Sequence, residues 1–166
     1  MVLFAIAFVT LGGSYLLFYL ASTGGGWGTT NKGAFVTPAT TVRDIDLQLP
    51  QEDARNWWLW IAADDCDAAC LDTLDKLRAL HVLLNREAGR VRRGITLAAG
   101  ADDAGLAQFT ELRRLSLGRA AAASGTWRGV YIIDPNGNLV FRYALDTNPK
   151  DVLQDLKRLL KVSQIG

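Results

Sequence analysis

Two residues of the chain, Cys66 and Cys70, have the type and spacing needed for thiol chemistry, and they are its only cysteines. Positions i and i+4 of a helix share one face, so their Cα atoms would lie about 6 Å apart, near the upper end of disulfide geometry. Two thiolates at this spacing can also hold one Cu(I) ion. The pair therefore predicts redox chemistry or copper binding, and its polar flanks argue against two merely structural cysteines.

Three aspartates, Asp64, Asp65 and Asp67, surround the pair. The start of a helix stabilises a thiolate, whereas nearby carboxylates disfavour it, so the two effects oppose each other. A strong thiol oxidant depends on a stabilised reduced form. We therefore expect a reducing or weakly oxidising pair.

Composition excludes several functional classes. Among 166 residues, 18 Lys and Arg stand against 17 Asp and Glu, a net charge of +1. A nucleic-acid partner usually needs a strongly basic face, so none is expected. Two cysteines and one histidine are too few for a four-ligand zinc site and too sparse for a disulfide-rich secreted scaffold.

The first residues predict a membrane anchor. Residues 2–21 carry no charged side chain, and 20 helical residues span roughly 30 Å, the thickness of a bilayer core. A cleaved signal peptide is the competing interpretation, but no basic residue precedes the apolar run. We expect an uncleaved anchor over 1–21 in contact with lipid, a Gly/Thr-rich linker over 22–40 and one domain over 41–166.

The rest of the chain alternates strand and helix patterns. We predict strands at 45–49, 57–62 and 92–99, a helix at 67–87 capped by Asp64 or Asp65, and a helix capped by Asp102 or Asp103 that carries Leu106, Phe109, Leu112 and Leu115. A hairpin at 128–143 and a helix opened by Asn148 and Pro149 follow. Right-handed crossovers make the first strands parallel. This order predicts an α/β, thioredoxin-like three-layer sandwich with one N-terminal transmembrane helix.

The arrangement resembles the Sco/SenC family, membrane-anchored thioredoxin-like proteins that help to assemble cytochrome c oxidase. The resemblance rests on the anchor, on Cys66 and Cys70 after a hydrophobic strand, and on the YIIDPNG segment at 131–137. It implies a single-pass protein of the cell inner membrane with its domain in the periplasm. It also implies a protein partner, either a cytochrome c oxidase subunit or another assembly factor.

The chain departs from this family at one copper ligand. The family binds copper through two cysteines and a histidine eight residues before the Asp-Pro aspartate, a position held here by Thr126. The single histidine, His81, lies eleven residues after Cys70, about 16 Å along a helix and too far to share a metal.

Three functions remain after this comparison. The first is a thiol–disulfide oxidoreductase that assists copper-site assembly, with Cys66 attacking and Cys70 resolving. The alternatives are a copper(I) chaperone that uses the same two thiolates and a non-catalytic docking factor.

Trp127 and a cluster of arginines each allow more than one interpretation. Trp127 either walls the site, serves as a docking surface, or packs in the core, and core packing is expected. The basic cluster Arg86, Arg90, Arg92 and Arg93 either meets anionic lipid or forms a solvated helix end, and a solvated end is expected.

Overall fold

The computed structural model describes residues 2–22 and 30–163, which fall into two compact units, Met1–Asn31 and Lys32–Gly166. The first unit holds helix α1, Val2–Ser22, whose large apolar side chains between Phe4 and Leu20 are exposed. Within the described residues, no helix is long and apolar enough to cross a membrane. The membrane anchor stays a prediction, and residues 23–29 of the predicted linker lie outside the described residues.

The second unit is built on one mixed six-stranded sheet. Its strands are β1 (Ala34–Phe35), β2 (Trp57–Ala62), β3 (Val91–Thr96), β4 (Leu112–Arg114), β5 (Gly129–Ile133) and β6 (Leu139–Tyr143), in the spatial order β1-β6-β5-β2-β3-β4. Strands β2, β3 and β4 run parallel, whereas β5, β6 and β1 add antiparallel pairs. The predicted parallel start and the antiparallel final hairpin are confirmed.

The helices of this unit are α2 (Ala68–Leu83), α3 (Arg119–Ala123) and α4 (Pro149–Val162), with 3₁₀ turns at Gln51–Asp53, Asn85–Arg90 and Ala104–Gln108. Helix α4 begins where predicted, because the Asn148 side chain accepts a hydrogen bond from the Lys150 amide and proline takes a first-turn position.

The core lies on both faces of the central strand. Every side chain of β2 is buried, as the run WWLWIA predicted. Trp57, Leu59 and Ile61 pack with the apolar sides of α2 and α4. Trp58 and Trp60 face the other way, into a smaller cluster. The result is a sheet covered on both sides, with the carboxyl end of β2 open to the loop that carries the cysteines.

The predicted strand at 45–49 is wrong. The chain turns at residues 42–46, where Asp46 adopts a positive φ of 51°, and only Gln48 forms an isolated bridge, with Ser116. Ile45 and Leu47 are nevertheless buried. The alternating pattern correctly predicted that these side chains are buried. It did not predict the backbone, because a turn can bury alternate side chains as a strand does.

The predicted helix carrying Leu106, Phe109, Leu112 and Leu115 is also wrong. A 3₁₀ turn at Ala104–Gln108 buries Leu106, and the chain then extends so that Leu112 pairs with Arg93 of β3. Residues 112–114 thus pair with β3 in the sheet and do not form the hydrogen bonds of the predicted helix.

Part of the predicted linker, 22–40, belongs to the second unit. The amides of Lys32 and Gly33 donate to Asp155 Oδ2 at 2.7 and 2.8 Å, and the Tyr143 hydroxyl donates to the same oxygen at 2.9 Å. Strand β1 then pairs with β6. Burial and the Asp155 carboxylate raise the pKa of Tyr143. We call this arrangement the Asp155 clasp.

Candidate functional site

The two cysteines lie just beyond the carboxyl end of β2. Cys66 precedes helix α2 and is half-buried, whereas Cys70 lies in the first turn of α2 and is 1% exposed. They form a disulfide with a Cα–Cα distance of 5.0 Å. The structure therefore brings the predicted pair together, with one sulfur on the accessible side and the other packed against the core.

Two aspartates bind the backbone of the cysteines. Asp67 is the N-cap of α2 and accepts a hydrogen bond from the Cys70 amide at 3.0 Å. Asp65 accepts one from the Cys66 amide at 2.9 Å. The prediction that Asp64 or Asp65 caps this helix is wrong, because the helix begins at Ala68 and the cap is the residue just before it.

These hydrogen bonds reduce the ability of the helix start to stabilise a thiolate. Free amides at a helix start stabilise a thiolate, as does the positive end of the helix dipole. Here carboxylates already occupy the amides of Cys66 and Cys70, and their negative charge opposes a second anion. A weakly stabilised thiolate stays a prediction, and these two hydrogen bonds are the observation that supports it.

The third aspartate, Asp64, is paired with an arginine that lies far from it in the sequence. Asp64 forms an ion pair with Arg128 at 3.0 Å, and both side chains are more than half exposed. The Asp64 carbonyl also accepts a hydrogen bond from Ala98. Sequence reasoning missed Arg128, since nothing local to either residue predicts the contact. The pair links the cysteine loop to the start of β5.

A cleft of about 390 Å³ lies beside the loop, at the carboxyl ends of β2 and β3. Asp64 lines it on the side of the cysteine loop, and Trp127 and Leu97 contribute apolar surface. Trp127 is half-buried, with its ring 6.1 Å from that of Trp60 and 5.7 Å from that of Tyr131. Trp127 therefore packs against the core, as expected, and walls a cleft as well.

The residues do not fit a three-ligand copper site. Thr126 is exposed, and its hydroxyl donates to the carbonyl of Ser124. His81 Nε2 donates to the carbonyl of Ala88 at 2.9 Å. Among the residues that the structure describes, no three His, Cys, Asp or Glu side chains are grouped to hold a metal ion. Two thiolates, after reduction, are what the chain itself offers to copper.

The basic cluster is not a solvated helix end. Arg90 pairs with Glu87, Arg92 with Asp53, and Arg93 with Glu111. Arg93 is 4% exposed. Three of the four arginines are thus held in ion pairs, and one of these three is buried. The expectation of a solvated helix end is therefore wrong.

Solved structures with the same fold include several Sco proteins. Apo Sco1 from Thermus thermophilus is 17% identical, with a TM-score of 0.53 over 81% of this chain and 99% of that one. BsSco, a member of the Sco family of cytochrome c oxidase assembly proteins, is 13% identical, with a TM-score of 0.52 over 82% of this chain and 100% of that one. Copper-bound ScoI from Arabidopsis thaliana is 14% identical, with a TM-score of 0.52 over 66% of this chain and 86% of that one. The predicted likeness to Sco/SenC proteins is confirmed, and at these identities it concerns the fold.

At the level of sequence, no curated protein matches the chain. A family model described as "Transmembrane-like, thioredoxin-like, C-terminal domain" matches residues 57–163. The match runs from the first residue of β2 to the residue after α4 and includes both cysteines. The chain belongs to this transmembrane-like, thioredoxin-like C-terminal domain family.

Proposed function

We propose that the chain is a membrane-anchored thiol–disulfide oxidoreductase whose redox centre is Cys66 and Cys70. One observation carries the proposal: the two cysteines form a disulfide at the carboxyl end of the central strand, with Cys66 half-exposed and Cys70 buried. Open α/β sheets place their reactive groups at this end of the strands. The unequal exposure supports Cys66 as the residue that attacks first and Cys70 as the residue that resolves the mixed disulfide.

The reaction runs from the reduced pair. The Cys66 thiolate attacks one sulfur of a target disulfide, forming a mixed disulfide and releasing the other target sulfur as a thiolate, which takes up a proton. The Cys70 thiolate then attacks Cys66 Sγ and releases the second target sulfur. Two electrons pass to the target, and the pair ends as the disulfide seen here. A dithiol donor must reduce it before the next turnover.

The direction proposed is reduction of the target. Asp67 already accepts the hydrogen bond of the Cys70 amide, a donor at the helix start that could otherwise stabilise a Cys66 thiolate, and the Asp65 carboxylate adds a second negative charge beside Cys66. A reduced form that gains little stabilisation gives up its electrons readily. This supports a reductant more than an oxidant.

Residues 2–21 are proposed as the anchor. They carry no charge, and helix α1 has 21 residues, enough for about 31 Å at 1.5 Å per residue. A lysine in place of Leu11 should release the chain from membranes washed with alkaline carbonate, and retention of that variant would contradict an anchor.

The proposed target is a disulfide in a copper-site protein, in particular a cytochrome c oxidase subunit or another assembly factor met in the periplasm. BsSco, which shares the fold, is a member of a family of cytochrome c oxidase assembly proteins. The cleft lined by Asp64 and Trp127, next to the cysteine loop, supports a target large enough to contact it while its disulfide meets Cys66.

The redox proposal is tested with the full chain in neutral detergent. The reduced protein is mixed with a disulfide-containing substrate protein, and loss of the substrate disulfide is followed. Wild type should reduce it, Cys66→Ser should be inactive, and Cys70→Ser should accumulate a mixed disulfide on Cys66. Equal activity in wild type and Cys66→Ser would overturn the proposal. Inactivity of the reduced wild type would favour the docking factor.

A copper(I) chaperone is the second candidate, supported by two sulfur atoms close enough to share one ion. Cu(I) is titrated into the reduced chain against a competing chelator, in wild type, Cys66→Ser and His81→Ala. Tight stoichiometric binding that Cys66→Ser abolishes and His81→Ala leaves unchanged would establish the chaperone. Weak binding together with disulfide reductase activity would exclude it.

A further inference from the structure

The cleft beside the cysteine loop offers accessible apolar surface. Leu97, Leu117 and Trp127 line it and are each half-buried, so part of each residue stays open to solvent. Its volume of about 390 Å³ is near the lower end of the range for small-molecule pockets. The cleft can therefore hold one or two side chains of a target, but not a folded domain.

Small residues form one wall of this cleft. Ala121 and Ala122 of α3 line it, together with Gly125 just after that helix. A Cβ atom placed on Gly125 would meet no atom within 4 Å beyond its chain neighbours, so the space beside it is open. Because this wall carries only small side chains, a large side chain from another molecule can enter.

Two charged side chains line the cleft, and they differ in their pairing. Asp64 is held by Arg128 at 3.0 Å. Arg119, the first residue of α3, is exposed and forms no ion pair or side-chain hydrogen bond with the residues that the structure describes. The cleft thus carries one positive charge that no carboxylate of the described residues balances directly.

One further carboxylate lies near α3 without pairing with Arg119. Asp46 packs against Gly118, the residue before the helix, and accepts a hydrogen bond from the Gln48 side chain. It does not line the cleft. Arg119 therefore stays available to a carboxylate that enters from outside.

The position of the cleft indicates what would enter it. Asp64 is two residues before Cys66, so a target whose disulfide meets Cys66 has its neighbouring residues close to the cleft. An apolar side chain of the target can be buried against Trp127 and Leu97. A carboxylate can pair with the Arg119 guanidinium, whose planar group matches it with two hydrogen bonds. A basic residue would be repelled, since Asp64 is already paired.

We propose that Arg119 makes this cleft select target segments that carry an acidic residue next to a large apolar one, close to the reacting cysteine. The apolar residue enters the cleft beside Trp127, and the acidic residue pairs with Arg119. The inference deepens the proposed redox function and rests on it only in placing the target's cysteine at Cys66. Arg119 is a specificity-determining residue and takes no part in the sulfur chemistry.

Binding is measured on the oxidised full chain in uncharged detergent at low salt, by fluorescence anisotropy of short labelled peptides. Each peptide carries serine in place of cysteine and one phenylalanine followed by glutamate, glutamine or lysine. Wild type should bind the glutamate peptide about threefold more tightly than the glutamine peptide, the gain expected from one exposed ion pair. The lysine peptide should bind most weakly.

Two pairs of variants assign this preference to the cleft. Arg119→Gln should bind the glutamate and glutamine peptides equally. Arg86→Gln, an equal loss of charge at an exposed arginine near the start of β3, should keep the wild-type preference. Ala122→Phe should weaken binding of all the peptides by filling the cleft. Ala123→Phe, on α3 but not lining the cleft, should bind as wild type does.

The proposal would be overturned by a wild type that binds none of the peptides, or that binds the glutamate and glutamine peptides equally. An unchanged preference in Arg119→Gln would also overturn it, and so would an equal loss in Arg86→Gln, which would mean general charge attraction. Unchanged binding in Ala122→Phe would show that the peptides bind elsewhere and would contradict the proposal.

Reduction of matching peptides that contain a disulfide separates this inference from the redox function. Reduction by wild type with no preference for the glutamate peptide would reject the role of Arg119 and leave the redox function standing. Preferential binding of the glutamate peptide without any reduction would support the role of Arg119 and reject the redox function.

Discussion

The two ends of the central sheet differ in how their hydrogen-bond donors are paired. At the carboxyl end, amide donors of the α2 start are met by the chain's own carboxylates, Asp65 and Asp67. At the amino end, Asp53 binds Arg92 and Arg113, and Arg93 pairs with Glu111. The first end therefore satisfies its donors with the chain's own carboxylates, whereas at the second end the buried Nη1 of Arg93 has no hydrogen-bond partner among the residues that the structure describes.

This difference teaches how the same residue type acts on two kinds of donor. Carboxylates that occupy the helix amides oppose a thiolate there, which supports the proposed reducing direction of the cysteine pair. A buried guanidinium nitrogen without a partner costs stability instead, because it has lost its hydrogen bonds to water. Aspartate therefore pairs with backbone amides at one end of the sheet and with guanidinium groups at the other.

The largest expected effect is at the amino end. Asp53→Ala removes the buried carboxylate shared by Arg92 and Arg113 and should cost about 2 kcal/mol of stability, less than a fully buried pair because both arginines reach solvent. Urea unfolding measures this. Glu52→Gln, a neighbouring exposed acid, should change stability little. A loss below a few tenths of a kcal/mol for Asp53→Ala would show that this cluster is not structural.

The next effect concerns the redox potential. Replacing both Asp65 and Asp67 by Asn removes two negative charges beside the cysteines and keeps oxygen acceptors for both amides. The reduced form should gain stability, raising the potential by about 30 mV, or about 1.4 kcal/mol, when measured near pH 9, where thiolates form. The shift should shrink at pH 7. Glutathione equilibration measures it, and an unchanged or lower potential at both pH values would contradict the account.

A smaller effect tests the helix cap by itself. Asp67→Ala removes the acceptor for the Cys70 amide and should cost about 1 kcal/mol, whereas Asp67→Asn should cost little, since Asn is as good a cap. Thermal or urea unfolding of the oxidised proteins compares them. Equal losses in both variants would mean that charge, not the hydrogen bond, holds the end of α2.

The smallest effect is at the cleft beside the cysteines. Trp127→Ala should lower the rate of protein disulfide reduction about threefold, through lost aromatic contact with the target, and leave reduction of a small aromatic disulfide unchanged. Trp127→Phe should restore most of the rate. A parallel loss with both substrates would indicate that Trp127 acts only by packing on Trp60 and Tyr131.

Local signals predicted the elements whose determinants lie within them. The run WWLWIA is a doubly buried strand, and the turn at 134–137 is set by Asp134, whose Oδ1 accepts from the amides of Asn136 and Asn138, and by Gly137 at a φ of 86°. Asn148 and Pro149 mark the start of α4. The cysteine pair was likewise visible from spacing and flanks.

Other features depend on partners far away in sequence. Strand β1 has two residues and exists because Arg142 and Phe141 of β6 lie beside it, and β4 exists because β3 offers an open edge. Three neighbouring aspartates compete to cap α2, and only the structure separates their roles. The burial of Arg93 has no local signal, because its partner Glu111 and the strand β4 come later in the chain.

The Asp155 clasp has a mechanical consequence. Two backbone amides, of Lys32 and Gly33, meet one buried carboxylate oxygen that the Tyr143 hydroxyl also holds. A force that pulls on the chain at residue 32 would therefore be carried into α4 and β6 before it could peel β1 from its partner. Neither element contains the cysteines, and α4 packs with α2 in one apolar cluster, so such a force would reach the cysteine helix only through that packing.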